Sequence, residues 1–149
     1  MHGSRSGHNE LVGHAEFIGT SNYAADNPLG LGWNATIGDD EISIHMPVSR
    51  WGWNARGCSS HYIGVEFSQP TESIEITDGQ VRAFVWYVKE VIKFWPNLPM
   101  YFPTHAELDG TTEYGGSDGK TDVFHKGSPA TIELRSRIMR ELYKWMTTR

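Results

Sequence analysis

At 149 residues, with 38% hydrophobic and 12% aromatic side chains, the chain has the size of one domain and too many aromatics to be disordered. Thirteen basic against 18 acidic residues leave a net charge of −5, which argues against a nucleic-acid or anionic-membrane surface. One cysteine, Cys58, excludes an internal disulfide; no run nears the roughly 18 apolar residues of a membrane span, and the first residues lack a signal peptide's apolar region.

In chain order, a weak helix is expected from about Glu10 to Tyr23, through Leu11, Ala15 and Ile18, with two glycines inside it. Trp33–Ile37 and Glu41–Met46 read as strands flanking Gly38-Asp39-Asp40, a hairpin turn. Tyr62–Phe67 is nearly continuous in strand formers and reads as a central strand. Asp78 to Trp95 reads as a helix: Val81, Phe84, Val85, Val88, Val91, Ile92 and Trp95 form one stripe, Thr77 or Asp78 caps it, and Pro96 ends it. Met100-Tyr101-Phe102 is expected to be a further short strand. A last helix runs from Pro129 to about Met146, with Ser128 as N-cap and a broad apolar face of Ile132, Leu134, Ile138, Met139, Leu142 and Trp145. The sum is an α/β fold: one domain over residues 1–149, with a mixed central sheet flanked by helices.

Period two divides the central strand into Tyr62, Gly64 and Glu66 on one face and Ile63, Val65 and Phe67 on the other. A carboxylate inside so apolar a strand must meet water, a partner or a metal. Spacing alone leaves two readings equally open, a cleft carboxylate or an edge-strand glutamate facing solvent. His105 follows a strand end, and taken alone it reads as a surface histidine. His45, His61 and His125 read as surface residues too, with His61 able to border a cleft. A glycine-rich loop, Asp109 to Gly119, leads to Lys120-Thr121-Asp122, whose charges read by default as solvated.

Taken together, His2-Gly3-Ser4-Arg5-Ser6-Gly7, Trp33–Asp39, Trp53-Asn54-Ala55, Ile63-Gly64-Val65-Glu66, Thr77-Asp78-Gly79-Gln80, His105 and Lys120-Thr121-Asp122 occur in an order that resembles the zinc-dependent N-acetylmuramoyl-L-alanine amidases of the type 2 amidase and peptidoglycan-recognition family. The resemblance implies one catalytic Zn2+ at one end of the sheet, with His2, His105 and Asp122 as ligands. Two imidazoles and a carboxylate suit tetrahedral zinc with a fourth position open to water. It further implies Glu66 as proton carrier and Lys120 at the developing oxyanion. Trp33, Asn34, Trp53 and Asn54 would contact substrate.

This chain departs from the family pattern in three places. Only Met1 precedes His2, so either the first strand is a stub or His8 or His14 is the ligand. Asn34 and Asn54 stand where many members have histidine. Trp33 stands where some phage members have a catalytic tyrosine. The activity implied is hydrolysis of the bond between N-acetylmuramic acid and L-alanine in peptidoglycan, by a phage-type endolysin made in the cytoplasm, monomeric and without a separate wall-binding domain. A cytoplasmic muropeptide-recycling amidase or a non-catalytic peptidoglycan-binding module are the alternatives. Neither nucleic acid nor membrane is expected as a partner.

Overall fold

The computed structural model describes residues 2–4, 32–50, 52, 55–69, 74–108, 124 and 128–148. Its elements are β1 (His2–Ser4), β2 (Ala35–Ile37), β3 (Ile42–Ile44), a 3-10 helix (Arg56–His61), β4 (Val65–Ser68), α1 (Asp78–Phe94), α2 (His105–Leu108) and α3 (Pro129–Thr147). The expected helix over residues 10–23 lies outside the described residues. The strands form one mixed sheet in the order β1-β4-β2-β3. β4 runs parallel to both β1 and β2, and β3 closes the β2 hairpin antiparallel. Tyr62–Phe67 is therefore a central strand, as its composition predicts, although the ladder itself begins at Val65.

Register explains the alternation along β4. His2, Glu66, Thr36 and Ser43 form one row across the sheet, between a row of Val65, Ala35 and Ile44 and a row of Gly3, Phe67, Ile37 and Ile42. Val65, Phe67, Ala35 and Ile37 join the main core with Val81, Phe84, Val85, Val88 and Val91 of α1 and Leu134, Ile138 and Leu142 of α3. The Phe67 ring lies 5.4 Å from that of Phe84.

The start of α1 is anchored to the sheet by its own capping residues. Thr77 Oγ1 accepts from the Gln80 N–H, and Gln80 Oε1 accepts from the Thr77 N–H, a reciprocal capping box. The Gln80 Nε2 group then donates to the carbonyls of Ser68 (2.7 Å) and Ile37 (3.4 Å), at the ends of β4 and β2. The hairpin turn meets the same point. Asp39 Oδ1 accepts from the Thr77 hydroxyl, and a Cβ added at Gly79 would lie 1.9 Å from that oxygen, so a side chain there would push the Asp39 carboxylate aside. Arg82 forks onto the Asp40 carboxylate, and Arg137 of α3 reaches Asp78 and the Ile76 carbonyl.

Two expectations are corrected. No strand forms over 100–102: Pro99 and Pro103 bracket the segment without N–H donors, and the Tyr101 N–H turns back onto the Pro99 carbonyl at 2.8 Å. The buried face of α3 is also narrower than expected. It consists of Leu134, Ile138 and Leu142 with Thr131, while Ile132 and Met139 are exposed. Among the described elements α3 packs chiefly on α1, and that contact is made by a narrow stripe.

Candidate active site

Glu66 is held by three parallel strands. It lies on β4 between β1 and β2, its residue is only 6% exposed, and its backbone register partners are His2 and Thr36. The solvent-facing edge reading is thus overturned: the carboxylate sits inside the sheet and inside the protein. β1 spans His2–Ser4 among the described residues. His8 and His14 lie outside the described residues, as do Lys120, Asp122, Trp53 and Asn54.

His105 opens α2 and is likewise 6% exposed, so it is not the surface histidine its isolated context suggests. It lies in the wall of a cavity of about 590 Å³, with Asn34, His61 and Gly64 at the end of the sheet where β2 and β4 begin. The C-terminal half of α1 supplies apolar lining, including Val88 and Trp95. Tyr87 also lines it, and burial pushes its phenol up to about 12, which keeps it protonated across the physiological range. Glu66, one residue past Val65, is not part of that lining. The structure therefore pairs His2 with Glu66 by register and His105 with Asn34 in one cavity wall.

A short cap presents His105. Thr104 is the N-cap of α2: its hydroxyl accepts from the Glu107 N–H (3.2 Å), while Glu107 Oε2 accepts from the Thr104 N–H (2.9 Å). The same Oε2 accepts from the Arg135 guanidinium of α3. Sequence reading missed this, although Thr104-x-x-Glu107 is a capping-box signature. Burial pushes the Glu107 carboxyl up, but the bonds from Arg135 and Thr104 outweigh it and hold it below its usual 4.5. A depressed folded value contributes stability that is full above 4.5 and is lost as pH falls through the lower value. Glu107→Gln should therefore melt below wild type at about pH 6, and the gap should narrow as thermal melts are stepped down below pH 4.5.

Asn34 and Trp33, expected at the substrate, have protein partners. The Asn34 amide donates to the carbonyls of Pro47 (3.0 Å) and Arg50 (2.7 Å), and its oxygen accepts from the Gly64 N–H (3.0 Å). It ties the loop after β3 to the start of β4 while lining the cavity. Trp33 Nε1 donates to Thr36 Oγ1, which also bonds His45 Nε2, both at 2.7 Å. His45 is thus a half-buried partner of the Glu66 row. The hairpin turn, which pairs Thr36 with Ser43 and His45 with Asn34, is the sequence signal for it.

Among the described residues no three His, Cys, Asp or Glu side chains converge on a common metal position, and of the three expected ligands only the His105 side chain is described. A buried imidazole in a cavity wall nevertheless has the chemistry of a ligand. Cys58 is buried and reduced.

The described core is a mixed α/β sheet with a buried carboxylate on its central strand and a buried imidazole in a cavity wall at the sheet end. A family model described as N-acetylmuramoyl-L-alanine amidase matches residues 6–122, and the chain belongs to that family. Membership indicates a hydrolase acting on peptidoglycan amides. No curated protein and no solved structure matches the chain. The family match begins after His2, ends on Asp122 and stops short of α3.

Proposed function

We propose that the chain hydrolyses the amide between N-acetylmuramic acid and L-alanine as a zinc-dependent endolysin, made in the cytoplasm, acting as a monomer on the cell wall. The observation that carries this reading is Glu66, buried on the central strand of the family-matched core and in register with His2. His2, His105 and Asp122 would hold the ion, which when bound supplies a Lewis acid to polarise the scissile carbonyl. Glu66 takes the proton of the attacking water and returns it to the leaving amine of L-alanine, so the carboxylate ends as it began. Lys120 offsets the charge that develops on the carbonyl oxygen. Asn34, through its three bonds, sets the cavity wall against which substrate rests.

Purified protein should carry about one zinc and clear cell-wall suspensions, lose clearing on chelation and regain it with zinc. Clearing that survives complete metal removal would sink the zinc mechanism. Mass spectrometry of the digest should show free stem peptides beginning with L-alanine beside intact glycan. New reducing ends on the glycan would mean a different bond is cut. Cosedimentation with walls and no new amino termini would mean a binding module.

A further inference from the structure

Helix α2 is a single turn of four residues. A turn of that length cannot sustain itself, because nucleation fixes several dihedrals for one hydrogen bond. Its stability must come from outside, and the contacts say from where. Glu107 Oε2 collects three donors: the Thr104 N–H, the Thr104 hydroxyl and the Arg135 guanidinium. The same Arg135 Nη2 also donates to the Phe102 carbonyl at 3.4 Å. Arg135 therefore grips the chain on both sides of His105, three residues before it and two after. The pair is largely shielded, with side chains 33% and 21% exposed, so water competes with it weakly. Arg135 belongs to α3, which lies beyond the family match and is itself fixed to α1 by Leu134 and Ile138.

We infer that Arg135, acting through Glu107, is a positioning residue for His105, and that the C-terminal helix thereby sets the affinity of the metal centre. The inference rests on the zinc reading above. Arg135 is not part of the lining of the cavity that His105 faces; it holds the turn that carries the imidazole. Both bonds come from one guanidinium nitrogen, whose two N–H groups serve a carbonyl and a carboxylate at once.

The test is zinc affinity, measured by competition with a chromogenic chelator, for wild type, Arg135→Gln and Arg135→Lys, at a temperature where circular dichroism shows each folded. Arg135→Gln should bind zinc about 10–100-fold more weakly, the scale of losing an outer-sphere support. Arg135→Lys should recover part of that loss. A merely structural residue would lower the melting temperature of the metal-free protein and leave zinc affinity unchanged, a result that overturns the proposal. Should Arg135→Gln not fold, Glu107→Gln carries the same measurement, since it keeps an oxygen for the Thr104 N–H and removes only the charge that Arg135 holds. Wild-type protein that takes up no zinc overturns the metal reading and this inference with it. Normal zinc uptake by wild type, with unaltered affinity in Arg135→Gln, overturns the inference alone.

Discussion

Glu66→Gln should leave the fold and zinc content unchanged while wall clearing falls by about 10²–10⁴-fold, the contribution of a positioned acid–base group. Glutamine matches the volume of glutamate, so the substitution opens no cavity on a strand where the neighbouring Val65 and Phe67 are core residues. It leaves polar atoms to bond whatever the carboxylate bonds, but it cannot accept and return a proton at neutral pH. Trp33 lacks an exchangeable proton of suitable pKa, so no neighbouring tyrosine takes over at that position. The measurement is turbidity of a cell-wall suspension, with metal analysis of the same sample. A variant that clears at the wild-type rate would remove Glu66 from the chemistry and return the carboxylate to a structural role.

Gln80→Met should cost about 2–4 kcal/mol of folding stability, because buried groups that lose a hydrogen-bond partner cost roughly 1–3 kcal/mol each. Methionine has nearly the same length and volume, so the loss isolates polar bonds from packing. The Thr77 N–H loses its acceptor, and the Ser68 and Ile37 carbonyls lose a donor. Gln80 is fully buried, so water cannot replace it. The melting temperature should fall by roughly 5–15 °C, given about 2–4 °C per kcal/mol at this chain length. In urea the midpoint should drop without change in slope. A loss below about 1 kcal/mol would mean that the amide is not what joins α1 to the sheet.

Gln80 also shows what the sequence makes legible. Thr77-Asp78-Gly79-Gln80 can be read as a helix start, and the two long helices follow from their 3.6-residue stripes and caps to within a residue or two of their observed ends. Local chemistry determines those features. The sheet tether made by the same glutamine depends on where β2 and β4 end in space, and no local pattern carries that. Composition misled at Met100–Phe102, where apolar and aromatic side chains suggest a strand but flanking prolines remove the donors a ladder needs. Glu66 stood undecided between edge and interior because alternation reports the face and not the neighbours; β1 and β2 on either side decide it. The Thr104–Glu107 box was legible but short, and its link to Arg135 spans 28 residues. The box follows from its three-residue spacing, whereas the long-range contact to Arg135 does not.

The polar row between two apolar rows has a consequence for how the chain reaches its fold. Side-chain direction reverses with every residue, so a slip of β4 by one position would turn the Glu66 carboxylate toward Phe84 and the Phe67 ring out of the core. Burying that charge without its partners would cost far more than the mispaired ladder could return. The residue on which turnover is proposed to depend thus also acts as a proofreader of strand pairing: a molecule misregistered at β4 is too unstable to persist as an inactive look-alike. Glu66→Gln and still more an apolar replacement would relax that check, and slower or more heterogeneous refolding would be its trace.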